Sequence, residues 1–420
     1  MMRVTAISIA ALGLVSIPAW AGGNVPEQVT FTKDVLPILQ ENCQVCHRDS
    51  GANLAGMVAP MSFTSYADTR PWAKAIAREA STRAMPPWHA SAESHGVFDN
   101  ERTLTDGEID IIVAWAKTGA KRGNPADAPA PMKFESFDGW TIGKPDLVLT
   151  FDDAYFVADD VEDQYHDIEI TLTDEQLPES RWIRGIEFLP GSQAVHHIIA
   201  YAHAPGREGD QNTGMLAGMA PGTDPATFPD GYGVFLEKGS KIRFQMHYHK
   251  ESGAGTGVWD QSEMALVFCD EPVKPVRIES IAYGAFEIPP NVTNWRVGAA
   301  RTLDKDTVVL AWMPHMHLRG IAARYDAYYP DGTHESLLDV KKYDFNWQTS
   351  YEYLEPKRLP AGTRLEMQMW YDNSSERAEA IGFNADRAVK FGGPTTDEMD
   401  LAWFTFSEVE AARNTTEGGD

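Results

Sequence analysis

Three sets of residues in this chain have types and spacings that could do chemistry. The first is Cys43-Gln44-Val45-Cys46-His47. Thiols at i and i+3 can form thioethers to the vinyl groups of a haem, and the next residue, His47, then lies under the iron as its proximal ligand. The second set is histidine. Six of the 12 histidines fall into tight groups, His196-His197, His247-Tyr248-His249 and His315-Met316-His317. Histidines at i and i+2 on a strand project from one face, so an HxH can grip one metal ion. Adjacent residues such as His196 and His197 diverge on a regular strand and share an ion only if the backbone bends. Imidazole suits copper and zinc, and no thiolate lies near these groups to make a blue-copper centre. The third set would complete the haem. Met85, in Arg83-Ala84-Met85-Pro86-Pro87-Trp88, is the leading sixth ligand, because two prolines fix an extended loop that can present a thioether. Met57 and Met61 lie nearer the motif, and His89 would give bis-histidine ligation instead. A histidine–methionine pair closes both axial positions and suits electron transfer.

The elements that must position these residues change in character along the chain. Residues 28–122 read as helical: a helix over Phe31 to Leu39 behind a capping Thr32, and another over Trp72 to Ala80. A third opens at a Thr105-Asp106-Gly107-Glu108 capping box, with Ile109, Ile112, Val113 and Ala116 on one face. One helix before the CxxCH and an amphipathic helix after it resemble a small, all-α class I cytochrome c domain. The Pro-, Ala- and Gly-rich residues 123–140 read as a linker. Beyond them, short alternating runs such as Leu147-Val148-Leu149, Ile168-Glu169-Ile170-Thr171-Leu172 and Val308-Val309-Leu310 are separated by Gly, Pro, Asn and Asp. They predict an all-β region long enough for two sandwiches.

At the N-terminus, Arg3, an apolar run from Ile7 to Ile17 and Ala19-Trp20-Ala21 read as an export signal over residues 1–21, cleaved before Gly22. The mature chain is therefore expected in the periplasm or outside the cell, where c-type haem is attached. The formal net charge is −25, from 36 Lys and Arg against 61 Asp and Glu. That balance argues against nucleic acid and anionic membrane surfaces as partners. No later apolar run approaches the roughly 18 residues of a membrane span. With Cys43 and Cys46 given to haem, Cys269 stands alone behind the apolar Ala265-Leu266-Val267-Phe268 and reads as a core residue.

From about residue 145 to 410 the chain resembles the copper type II, ascorbate-dependent monooxygenases, the family of peptidylglycine α-hydroxylating monooxygenase and dopamine β-monooxygenase. The resemblance rests on four segments in the family's order and at similar spacings. They are Ala194-Val195-His196-His197, Phe244-Gln245-Met246-His247-Tyr248, Pro314-His315-Met316-His317-Leu318-Arg319-Gly320 and Gly392-Gly393-Pro394-Thr395-Thr396-Asp397-Glu398-Met399. It implies two jelly-roll-like β-sandwich domains, at 141–272 and 273–412, with one copper ion each across a solvated cleft. The boundary would fall where Glu271-Pro272 and Lys274-Pro275 interrupt the strand pattern. By position, His196, His197 and His247 would hold an electron-relay copper. His315, His317 and Met399 would hold the copper that binds O2, with a soft thioether favouring Cu(I).

The implied reaction takes a substrate C–H bond, O2, two electrons and two protons to an alcohol and water. Electrons would come from ascorbate or a periplasmic redox donor, and the fused haem suggests that they pass through it. The sequence also departs from the family pattern. Disulfides are common in such proteins, and here Cys269 is the one cysteine outside the haem motif. Met313 stands where the animal peptide hydroxylase has an arginine for the substrate carboxylate, which argues against a C-terminal glycine substrate. His249 has no counterpart and reads as a surface residue. Gln245 and Tyr248 could order water or substrate, or simply pack. Two other readings are a periplasmic copper and haem electron carrier without turnover, and a haem peroxidase, which needs an open distal site.

Overall fold

Alternation of apolar and polar residues gives a mostly β structure with a few short helices in the computed structural model, which describes residues 26, 28–49, 59–134, 139–207, 214–269 and 273–409. The export signal, Met57 and Glu271-Pro272 lie outside the described residues. Among those described, no helix is long and apolar enough to cross a membrane.

Strands Asp163–Thr171, Lys241–His249, Val195–His203 and Met215–Met219 form one antiparallel sheet in that order. Another runs Leu147–Thr150, Glu263–Cys269, Arg181–Leu189, Tyr232–Leu236 and Lys274–Pro275. A single buried cluster takes Leu149, Ile183, Ile186 and Leu266 from the second sheet and Ile198, Ala200, Phe244 and Met246 from the first, which is the layering of a β-sandwich. The pattern recurs downstream. Arg277–Ile281, Leu401–Glu408, Thr307–His315 and Tyr351–Leu359 make one sheet, and Trp295–Thr302, Arg364–Tyr371, Gly320–Tyr328 and His334–Val340 another. Val309, Trp312, Phe404, Ala323, Tyr325 and Met367 share the core between them.

The expected interruption near residue 274 is instead a short edge strand. Lys274–Pro275 pairs in parallel with Tyr232–Leu236, a place where proline's missing donor costs little. Val276 still belongs to the first core. The strand Thr307–His315 serves both cores, with Val308 and Leu310 in the first and Val309 and Trp312 in the second. Burial on both faces explains its unbroken apolar run. Cys269 is half-buried rather than fully buried.

The helices Leu36–Asn42, Ala73–Ser81 and Asp106–Lys117 share a third cluster that includes Phe31, Leu39, Phe63, Ile112 and Trp115. Thr32 does not cap the first of them. It is buried and donates to the Arg122 carbonyl, while the Asp34 carboxylate closes the entering turn on the Thr30 amide. The Thr105–Glu108 capping box is present. The buried stripe of that helix is Ile111, Ile112 and Trp115, one residue round from the expected face, because the indole turns inward.

Residues 88–102 leave the helices and build into the β region. The Ser91 amide donates to the Asp339 carbonyl, Asp99 to Glu352, and Leu354 to Val97. Phe98 enters the second β core against Tyr351 and Tyr353, and Arg102 pairs with Asp224. Beside this pair, burial and the nearby Asp224 and Asp99 push the Glu352 carboxyl up to about 8 from its ordinary 4.5. The folded chain thus holds a proton that the unfolded chain releases, so stability falls as pH climbs from 4.5 to about 8. Thermal melts across that window are expected to show this slope flattened in Glu352→Gln.

Candidate metal centres and the cavity between them

His197 pairs directly with His247 on the neighbouring strand, and the register slips between Val195 and His197. His196 is therefore the extra residue of a bulge, the backbone bend that adjacent histidines need in order to converge. Ligand nitrogens of His196, His197 and His247 all lie within 4.8 Å of one another. Nδ1 of His197 and Nδ1 of His247 are 3.3 Å apart, the spacing of two nitrogens that share one ion through tetrahedral bonds of ~2.0 Å.

The surroundings leave these nitrogens for an ion. The Asp163 carboxylate accepts from Nε2–H of His247 at 2.6 Å, which leaves Nδ1 bare. Tyr165 stacks on the same ring at 4.3 Å. Nδ1 of His196 is buried without a hydrogen-bond partner, a costly state that a metal ion relieves. Burial, reinforced by the neighbouring imidazoles, pushes His196 down to about 3 and His197 well below its ordinary value. Both are neutral, as metal ligands must be. His249 is exposed, its ring 6.2 Å from His196 and outside the triad. Asp163→Asn keeps the shape but loses the charge that fixes the His247 tautomer. It is expected to lower metal affinity about 10–100-fold, measured by competition with a chelator.

The second group sits where the Thr307–His315 strand ends. The rings of His315 and His317 lie 5.2 Å apart and nearly perpendicular. Nδ1 of His315 bonds the Gln348 side-chain oxygen at 2.7 Å, and Nδ1 of His317 bonds the Asp397 carbonyl at 3.2 Å, so both Nε2 atoms are left for an ion. Burial pushes His315 to about 4 and His317 to about 3.

The buried Glu398 carboxylate ties the half-buried Met399 to this group. It accepts from the amides of His317 at 2.8 Å, Arg319 at 2.7 Å and Met399 at 3.3 Å. The Arg319 guanidinium donates to the Asn373 side chain and to the carbonyls of Thr396 and Asn384. Gly320 closes the turn where a Cβ would lie 2.5 Å from that of Met316. The His-Met-His-Leu-Arg-Gly and Asp-Glu-Met segments are thus one knot.

The two groups open on one cavity of about 530 Å3, lined by His197 and Gln245 from one side and by Met313, His315, Met399 and Trp403 from the other. Phe345 stands between the groups. Its ring stacks on His196 at 5.3 Å and meets His317 edge-on at 5.9 Å. Tyr248 takes no part; it is buried and donates to Asp260.

Cys43, His47, Pro60, Met85 and Pro86 line two adjoining cavities of about 150 and 250 Å3. Cys46, Arg102 and Trp347 are among the other residues lining the smaller, and Met61, Phe63, Trp72, Glu79 and Leu104 among those lining the larger. Nδ1–H of His47 donates to the Met61 carbonyl at 3.2 Å, leaving Nε2 for an axial bond. Burial pushes the Cys43 thiol up to about 12, so it is protonated in the unloaded chain. Of the sixth-ligand candidates, Met85 borders both cavities and Met61 one. His89 lies toward the β region, its carbonyl accepting from the Lys341 amide. This apolar lining and donor set fit a thioether-linked haem.

Sequence reasoning missed Asp163, Phe345, Gln348 and the role of Glu398. An acid at the start of a strand carries no signal of its own. The Asp-Glu-Met segment did mark Glu398's neighbourhood.

No family model matches the chain, and no curated protein matches it. Among solved structures it matches the major capsid protein P2 of bacteriophage PM2 at 11% identity over 64% of this chain and 98% of that one, with a TM-score of 0.26. It also matches a Paenibacillus xanthan lyase at 10% identity over 63% and 25%, with a TM-score of 0.18. A third is the top component of cowpea mosaic virus, at 8% over 55% and 80% with a TM-score of 0.26. Likenesses this slight bear on neither fold nor function.

Proposed function

We propose that the chain is an exported copper monooxygenase that hydroxylates a C–H bond of a small organic substrate with O2, its electrons supplied through a covalently bound c-type haem. On this reading residues 28–122 are a class I cytochrome c domain, and 141–272 and 273–412 are two jelly-roll-like sandwiches with one copper site each. The observation that carries it is the pair of histidine groups, one of three imidazoles and one of two beside Met399, opening on a single cavity. Bound copper would supply one-electron transfer at the first group and O2 activation at the second, where a thioether favours the cuprous ion.

The chain's own residues prepare those sites. Asp163 sets the His247 tautomer, Gln348 and the Asp397 carbonyl set those of His315 and His317, and Glu398 keeps Met399 beside them. Ile199, Met215, Met219, Met313 and Trp403 offer a substrate an apolar wall. Among the described residues no lysine or arginine lines this cavity, which disfavours a carboxylate at the reacting end. Cys43 and Cys46 would anchor the haem, with His47 and Met85 as its axial ligands.

The test is O2 uptake by the ascorbate-reduced holoprotein across a panel of small uncharged organic compounds. Substrate-dependent uptake, with one atom of labelled O2 in an alcohol product, supports the proposal. No such uptake with both copper sites filled would favour a periplasmic copper and haem electron carrier.

A further inference from the structure

We infer that the loop Asp344–Gln348 carries electrons from the haem pocket to the histidine groups, with Trp347 as the exit from the pocket. The inference rests on the proposed haem and copper sites and adds the route between them. Trp347 lines the cavity that also holds Cys43, Cys46, His47 and Met85. The next residue, Gln348, is buried and places its side-chain oxygen 2.7 Å from Nδ1 of His315. Two residues before Trp347, the Phe345 ring touches His196 and His317. One short stretch of chain therefore reaches the haem pocket and both histidine groups. From indole to imidazole the path runs through bonded atoms and a single hydrogen bond.

The stretch is also held still. The Trp347 amide donates to the Asp344 carbonyl at 3.0 Å, and the Gln348 amide to the Pro221 carbonyl at 2.9 Å. The Thr223 hydroxyl donates to the Gln348 carbonyl at 3.2 Å, and the Gln348 side-chain amide to the Phe345 carbonyl at 3.1 Å. Gly222, at φ +84°, lets its backbone lie flat on Trp347, where a Cβ would be 2.6 Å from the indole. Packing at a junction accounts for the glycine. It does not account for Gln348 being committed to an imidazole of one centre while its neighbour faces the other cavity.

Each transfer moves one electron and no atom. Haem iron goes from ferrous to ferric as copper goes from cupric to cuprous, and an external one-electron donor, ascorbate or a redox protein, restores the ferrous haem. Two such transfers supply the two electrons of one hydroxylation.

The experiment uses the anaerobic, cupric holoprotein. Its haem is photoreduced by a flash-excited flavin, and the decay of ferrous-haem absorbance is followed alongside loss of the cupric EPR signal. Trp347→Leu is expected to slow this decay by about tenfold or more, with Trp347→Phe recovering part of the rate because it keeps a π-system. Haem content, haem midpoint potential and copper content are measured in both variants, and rates are compared per loaded protein at the measured driving force. A Trp347→Leu rate equal to the parent's overturns the route. If the parent itself, loaded with haem and copper, shows no transfer, the proposed electron supply fails with it, which separates the two failures.

Discussion

A His247→Ala protein is expected to retain one copper ion where the parent holds two, and to lose substrate-dependent O2 uptake while keeping its haem. His247 is the ring on which the first group is built. It faces His197 at 3.3 Å, carries the Asp163 bond and supports the Tyr165 ring. Without it, His196 and His197 offer two imidazoles and the Asp163 carboxylate loses the ring that it orients. The loss of affinity should exceed the roughly 10–100-fold typical of removing an outer partner such as Asp163. The second group depends on Gln348, the Asp397 carbonyl and Glu398, none of which touches His247, so its copper should stay. Metal analysis after dialysis, beside haem absorbance, reads both outcomes in one preparation.

Arg319→Ala is expected to cost about 3–5 kcal/mol of stability and to empty the second copper site. Arg319 is fully buried, and its guanidinium joins Asn373, Thr396 and Asn384 above the Phe383 ring. Its positive charge also steadies the buried Glu398, whose carboxyl burial already pushes up to about 7. Truncation removes the positive charge near that carboxylate and takes their donor from the Asn373 and Asn384 oxygens, while Thr396 keeps Arg387, and a buried charge or acceptor left unmet is costly. Because Glu398 holds the His317 and Met399 amides together, the proposed copper ligands are expected to drift apart when it moves. Arg319→Lys should recover less than half of the loss, since an ammonium cannot reproduce the planar fork. Urea unfolding measures the stability term, and copper content the site.

The residues that would touch the ions were legible in the sequence, because imidazoles, thiols and thioethers are named by type and spacing. What fixes them was not. Nothing in Val195-His196-His197 announces a bulge; the bend appears only when His197 is set against His247 on its neighbour. Asp163 and Gln348 reach their histidines from 84 and 33 residues away, and an isolated Asp or Gln has many ordinary uses. The β character of residues beyond 140 is readable from short runs between turn residues, but the alternation expected at Val308-Val309-Leu310 is absent: the strand Thr307–His315 is shared by two cores and buried on both faces. Periodicity placed the Asp106–Lys117 helix but chose the wrong neighbour for its buried face, since a tryptophan outweighs several small apolar residues. Prolines such as Pro275 signal an interruption by type, and an edge strand tolerates them equally well.

The most direct measurement is copper and haem content, with copper EPR, on the haem-loaded protein beside Met399→Ala. The expected result is two type II cupric ions per haem in the parent, with one signal lost or altered in the variant. One copper ion or none per haem after reconstitution would contradict the two-site assignment and leave a haem protein carrying histidine-rich β-sheets.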